Sequence, residues 1–219
     1  MIRKKYFFII IILTISLLTA QIGIKGGPAL SDIVFAEKGQ TPYLSYEINS
    51  LTHRLPYLTY QFGVFKSFNL NNRLSVQPEI LFVKKGLNYG TDFIFGDINY
   101  IINIHYVEVP ILMKLFLNNH KRSAILFGPY FSYMMNNKRI REIEDKILKD
   151  NLSNINKTDI GIVTSFAHEF MKLFNIDFRM SYSLVEMMKY LDGVKLDYYG
   201  PNDERARNVN ISLTIGYYL

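Results

Sequence analysis

The chain has 219 residues, with 25 Lys and Arg against 19 Asp and Glu, and no cysteine. The missing thiols exclude disulfides and thiolate metal sites without identifying a compartment. Setting aside Arg3, Lys4 and Lys5 leaves 22 cations against 19 anions, a net charge of +3, so the basic pI is no argument for a nucleic-acid partner.

Residues 1–20 read as a secretory signal peptide. Arg3, Lys4 and Lys5 form the basic region, Tyr6–Leu18 the apolar run, and Thr19-Ala20 the small-residue cleavage site before Gln21. That run is short for a spanning helix, and no later apolar run reaches 18 residues. Residues 21–219 are then long enough for one domain. Tyr and Phe number 16 each while Trp is absent; rings with a polar tip suit a membrane interface and a water-soluble sheet alike.

Eight segments alternate with period two, the repeat of a half-apolar β-strand. In Ile22–Ser31, Ile22, Ile24 and Leu30 oppose Lys25, Ala29 and Ser31. In Tyr57–Phe68, Leu58, Tyr60, Phe62, Val64 and Phe68 oppose Thr59, Gln61, Gly63 and Ser67. Leu74–Lys85 sets Leu74, Val76, Ile80 and Phe82 against Ser75, Gln77, Glu79 and Lys85. The fourth, roughly Asn99–Leu117, sets Val107, Val109, Ile111, Met113 and Leu115 against Glu108, Pro110 and Lys114. Ala124–Met134 carries Phe127, Phe131 and Tyr133 against Gly128, Tyr130 and Ser132. Asp159–Phe170 carries Ile160, Ile162, Phe166 and Phe170 against Asp159, Gly161, Ser165, Ala167 and Glu169. In Asn175–Val185, Ile176, Phe178, Met180, Tyr182 and Leu184 oppose Asp177, Arg179, Ser181 and Ser183. The eighth, Asn208–Leu219, alternates throughout, and a last strand that must still pair suggests a sheet closing on its own first strand.

The connections alternate between short (Asn69–Arg73, Asn118–Arg122, Met171–Phe174) and long (Asp32–Pro56, Gly86–Ile98, Met135–Thr158, Glu186–Ala206). Short periplasmic turns and longer extracellular loops are the asymmetry of transmembrane barrels. The expected fold is therefore all-β: an eight-stranded antiparallel up-and-down transmembrane barrel, with a soluble lipocalin-like periplasmic carrier as the alternative.

Side-chain size decides which face turns inward. An eight-stranded barrel has room inside only for side chains to fill. Large Phe, Tyr, Leu and Ile residues crowd one face; the other interleaves charges with Gly23, Gly27, Gly63, Gly128, Gly161, Ala167 and Gly216. The bulky face is expected to meet outer-membrane lipid. Its charged or ionisable exceptions, Lys66, Lys84 and His168, lie near strand ends, from which long cations can snorkel.

The inward charges are balanced: Lys25, Lys85, Lys114 and Arg179 against Glu79, Glu108, Glu169 and Asp177. Buried charges are tolerable when paired and hydrogen-bonded, so a cross-lumen salt-bridge network plugging the barrel is expected. A narrow channel or transporter is the functional alternative, because intramembrane ionisable groups are candidates for an ion path. In the third long connection, Ile140, Ile143, Ile147 and Leu148 have helical spacing, with Glu142/Lys146 and Asp145/Lys149 as i,i+4 pairs, so a short amphipathic helix is expected over 137–149. A Tyr-rich stretch around Tyr190, Tyr198 and Tyr199 suits an interfacial girdle or an aromatic anchor for a partner.

Motifs for chemistry are few: no P-loop, no H-E-x-x-H and no G-x-S-x-G. His53, His105, His120 and His168 are scattered without ligand spacing, so no metal or cofactor is expected. Ser165, His168 and Glu169 make no triad, because His168 points to the opposite face of the strand. The expectation is a protein that is not an enzyme.

Several stretches resemble the PorT-type outer-membrane β-barrel family of Gram-negative envelopes. They are Gly23-Ile-Lys-Gly-Gly27, Leu74-Ser-Val-Gln-Pro-Glu-Ile-Leu81 with Lys85-Gly86, Tyr106-Val-Glu-Val-Pro-Ile-Leu-Met-Lys114, Phe127-Gly-Pro-Tyr130 and Leu213-Thr-Ile-Gly-Tyr-Tyr-Leu219. The resemblance spans essentially the whole of 21–219. It implies an eight-stranded outer-membrane barrel, of a family in which a few members are tied to protein secretion and gliding, and it carries over no catalytic residues. The family usually ends in a Phe read by the barrel-assembly machinery; Leu219 stands there, with Tyr217 supplying an aromatic two residues earlier. The loops 32–56, 135–158 and 186–206 are the expected contacts for an envelope or extracellular protein partner.

Overall fold

The computed structural model describes residues 21–36, 52–55, 57–93, 96–143, 146–151, 155–171, 173–187 and 205–219. The expected signal peptide, most of the loops 32–56 and 186–206, and Tyr190, Tyr198 and Tyr199 lie outside them. The described strands are β1 (Gln21–Ala36), β2 (Thr52–Leu55), β3 (Tyr57–Asn69), β4 (Leu74–Phe93), β5 (Gly96–Phe116), β6 (Ser123–Ile143), β7 (Lys146–Asp150), β8 (Thr158–Met171), β9 (Phe174–Ser183) and β10 (Arg205–Tyr218).

Eight of these close a barrel. Each of β3, β4, β5, β6, β8, β9 and β10 pairs antiparallel with the next, and β1 sits between β3 and β10. The closing ladder runs from Gly23 opposite Tyr218 to Ala36 opposite Arg205. Full closure leaves no unpaired edge around the ring, the condition for strands to cross a bilayer. β2 adds to β4 beyond the point where β3 begins, and β7 adds to β6.

The short connections gather at one end, the periplasmic end in barrels of this kind. Asn71 builds the first turn: its Oδ1 accepts the backbone N–H groups of Arg73 and Leu74, both at 2.8 Å. In the second, Asn118 Oδ1 accepts Arg122 N–H at 3.0 Å, and Lys121 takes a left-handed φ of 57°. Asn and Asp side chains substitute for a backbone turn in this way.

Two sequence expectations fail at the other, extracellular end. The connection 86–98 is not a loop: β4 and β5 continue as a ladder from Lys85 opposite Ile104 to Phe93 opposite Gly96. Nor is 137–149 helical, because β6 runs on to Ile143 and folds back as β7, with Arg139 opposite Asp150 and Ile143 opposite Lys146. β6 is also irregular at Met135. His105 pairs Asn136 and Tyr106 pairs Met134, so Met135 is an extra residue in β6. A bulge of this kind bends the strand and reverses its inside–outside alternation. Even-numbered residues face inward up to Met134, whereas beyond the bulge the buried one is Arg139.

The faces divide as side-chain size requires. Phe178 is 54% and Ile211 39% exposed on the outside, whereas Arg179 is 2% and Glu79 1% exposed within. A lipocalin-like barrel, with its apolar residues facing a central cavity, is therefore not the arrangement found. The inside also holds two apolar clusters that alternation alone does not announce. One lines the wall of β5, β6 and β8 with Leu112, Ala124, Leu126, Tyr130, Val163 and Ala167. The other fills the extracellular end with Ile33, Leu87, Ile102, Ile104, Met134, Met187 and Ala206, beside Tyr106.

Candidate functional site

The deepest polar cluster spans the barrel. Glu79 on β4 and Arg179 on β9 stand on opposite walls, four strands apart in the ring of eight. Arg179 clasps Glu79 with both ends of its fork, Nη1 to Oε2 at 2.8 Å and Nη2 to Oε1 at 2.9 Å. Nη2 also donates to Asp177 Oδ2 at 3.0 Å. Lys25 on β1 closes the set, its Nζ 3.0 Å from Glu79 and 2.6 Å from Asp177. Gln77 Nε2 donates to Glu79 at 2.7 Å, and the Ser165 hydroxyl donates to Asp177. Two cations and two anions thus neutralise one another, and each carboxylate accepts several hydrogen bonds, while Arg179 Nε is left as a buried donor without a partner among the described residues. Pairing of this kind is what makes burial of charge tolerable.

Glycine supplies the room for Lys25. Its cross-strand neighbours are Gly63 on β3 and Gly216 on β10. A Cβ on Gly63 would sit 2.0 Å from the carbonyl oxygen of Ile80, so the strands could not keep their spacing around a larger residue. Gly161 is covered instead by Tyr130, whose ring atoms come within 2.4 Å of where its Cβ would lie.

A second cluster lies toward the extracellular end. Lys85 Nζ is 2.8 Å from Glu108 Oε2 and 3.2 Å from Asp159 Oδ2. Asp159 accepts further bonds from Ser183 Oγ at 2.6 Å, Asn208 Nδ2 at 3.1 Å and Tyr130 Oη at 3.3 Å. Ser132 Oγ donates to Glu108 at 3.0 Å, and the Lys85 ammonium lies 4.5 Å above the Tyr130 ring. Met187, 3% exposed, packs over this level among Ile33, Ile102, Ile104 and Met134. It is tied there by its N–H to Ala206 O and its carbonyl to Asn156 N–H, both 2.8 Å.

Of the eight charges expected to form one network, six are brought together in these two clusters. Lys114 and Glu169 are not. Among the described residues Lys114 has no carboxylate within 4.0 Å; it donates to Tyr218 Oη at 3.3 Å and lies 5.2 Å over the Phe116 ring. Glu169 is half-buried at the turn end, where β8 and β9 lose register between Glu169 and Met171. Asp159 takes the place reserved for Glu169. Its parity with Gly161 and Ser165 was the available signal. The outward exceptions behave as charged groups at a rim: Lys66 lies 5.2 Å over the Phe68 ring, and His168 bonds Ser123 at 2.9 Å. Ser165 and His168 consequently occupy opposite sides of the barrel wall, the former serving Asp177.

No curated protein matches the chain in sequence. Among solved structures the chain is similar to Ail, the attachment invasion locus protein of Yersinia pestis, at 14% identity over 91% of this chain and 99% of that one, TM-score 0.43. It is similar to Neisserial surface protein A at 8% identity, 91% and 99% coverage and TM-score 0.47. For outer membrane protein W of E. coli the values are 10% identity, 91% and 98% coverage and TM-score 0.37. Such distant likenesses carry nothing about function. The family described as outer membrane protein beta-barrel domain matches residues 16–189. The chain belongs to that family, and its location is the outer membrane.

Proposed function

We propose that this protein is a closed, non-enzymatic outer-membrane barrel of PorT-like type whose work is done by its extracellular loops. The observation that carries the reading is the Lys25–Glu79–Asp177–Arg179 cluster, which bridges opposite walls at the middle of the lumen. With the Lys85–Glu108–Asp159 cluster and the apolar seal around Met187 above it, it supports a lumen closed to ions. The Q-P-E and E-x-P-x-x-x-K stretches, Gln77–Glu79 and Glu108–Lys114, support the PorT-like assignment. The exterior belt serves as the surface against acyl chains.

Purified protein in a planar bilayer tests the closed lumen: no steady current is expected. A steady ion-selective current overturns it and favours a narrow channel. Partner contact falls to the segments 32–56, 135–158 and 186–206, the second of which contains the end of β6 and the whole of β7. Deleting them one at a time should abolish crosslinking to an envelope or extracellular protein in intact cells. A deletion series that leaves every crosslink and secretion phenotype intact removes the support for loop-borne function.

A further inference from the structure

We propose that the extracellular rim of the barrel, between Lys84 and Lys157, holds the phosphorylated headgroup of an outer-leaflet lipid. The proposal rests on the exterior belt meeting acyl chains, as proposed above, and names a ligand for its upper edge. On β4 the outward series Val76, Ile80, Phe82 ends at Lys84, and on β5 the series Ile111, Val109, Val107 ends at His105, opposite Lys84. The outward apolar series thus gives way on these two strands to Lys84 and His105, side by side.

Lys84 is a cation held in place by a neighbouring ring. Its Nζ donates to Tyr57 Oη at 2.9 Å and lies 4.9 Å above the Tyr57 ring, and Tyr57 donates in turn to Asn103 Oδ1. Among the described residues no carboxylate lies within 4.0 Å of it. A cation fixed in place is suited to a phosphate oxygen.

His105 pairs across the ladder with Asn136, beside the bulged Met135. Here β6 changes neighbours: β8 accompanies it up to Tyr133 opposite Thr158, and β7 from Arg139 opposite Asp150. The gap between them is a crevice of about 310 Å³ whose lining includes Tyr133, Met135, Asn136, Asn151 and Lys157. Asn136, Asn151 and Lys157 bring polar groups to its lining, and Tyr133 and Met135, both exposed, give it an apolar lip. From Lys84 across β5 and β6 to Lys157 is three strand spacings, about 14 Å. Two cations that far apart, with hydrogen-bonding amides between and an apolar lip, match an amphiphile with more than one phosphate on a hydroxyl-rich headgroup. A soluble anion would have no use for the lip.

The test uses the full chain folded in detergent, identified by heat-modifiable migration, and titrated with purified lipopolysaccharide. Retention is read by native mass spectrometry or co-purification. Wild type is expected to retain the lipid, and Lys84→Gln with Lys157→Gln to lower retention at least tenfold while heat-modifiability persists. Lys84→Arg with Lys157→Arg should restore it, since the charge is what is asked for. Equal retention by the Gln double variant, or of chemically dephosphorylated lipopolysaccharide by wild type, overturns the proposal. Displacement by inorganic phosphate at matched concentration also overturns it, in favour of a free-anion site. If the belt did not meet lipid at all, the protein would stay soluble without detergent, a distinct result.

Discussion

At the scale of single residues, the lumen is organised by specific pairing rather than by charge count. Glu79 receives Arg179 twice, Lys25 once and Gln77 once, leaving little of its acceptor capacity unused. Removing one partner from such a buried set leaves the opposite charge without compensation, at a cost of about 3–5 kcal/mol. Glu79→Gln is therefore expected to lower unfolding stability by that amount, measured by urea titration of the folded barrel in detergent. An unchanged midpoint would mean that Arg179 finds another anion. Alternation reported correctly which side of the strand Lys25, Glu79, Asp177 and Arg179 occupy, because period two is geometry alone. It did not report depth. Glu169 and Asp159 share a parity, yet only Asp159 lies beneath the seal and reaches Lys85.

At the scale of elements, the extension formed by β4 to β7 is where local pattern and fold part company. Ile140, Ile143, Ile147 and Leu148 have helical spacing, and i,i+4 charge pairs reinforce it, but a hairpin satisfies the same letters, and Met135 resets the phase of β6 before it. A single inserted residue is invisible to any periodicity measured across it. The hairpin is pinned by Asp150, which takes Arg139 at Nε at 3.0 Å and at Nη2, and Arg141 Nη2 at 3.3 Å. The Arg139 hydrogen bond holds the Asp150 carboxyl below the ordinary carboxylate range, with Arg139 and Arg141 charge adding to it. A depressed folded value means that the contribution is present above the unfolded carboxylate value, about 3.9, and is lost as pH falls through the folded one. The hairpin is expected to persist from neutral pH to about 4 and to loosen below that, read from amide chemical shifts of 139–150. Asp150→Asn should produce the same loosening at pH 7 and admit trypsin at Lys146 and Lys149. Resistance equal to wild type would assign the hairpin's order to its backbone ladder alone.

At the scale of the whole molecule, the barrel is a protein turned inside out: Phe62, Phe127, Phe166 and Phe178 outside, Lys25, Lys85 and Arg179 within. In water so continuous an apolar exterior would aggregate. In a bilayer it is the reason for folding. Phe178→Arg, mid-strand on β9, is expected to cost about 2–4 kcal/mol of folding free energy into lipid vesicles, the value for a cation at the midplane. Folding yield equal to wild type would move Phe178 out of the hydrocarbon. The barrel was legible from alternation and connection lengths, because both follow from how a bilayer treats a strand. The seal around Met187 was not, since its members come from five strands and a connection, brought together only by closure.

That closure has a consequence for how the protein is made. The seam joins β1 to β10, the two paired segments most distant along the chain. Until β10 has been synthesised and exported, β1 has one raw edge and its intended mate does not yet exist. Everything between must therefore travel the periplasm as an adhesive, incompletely hydrogen-bonded ribbon, the state most open to mispairing. A pairing so distant along the chain has its loop-closure entropy to overcome before it yields any contact, unlike any local turn.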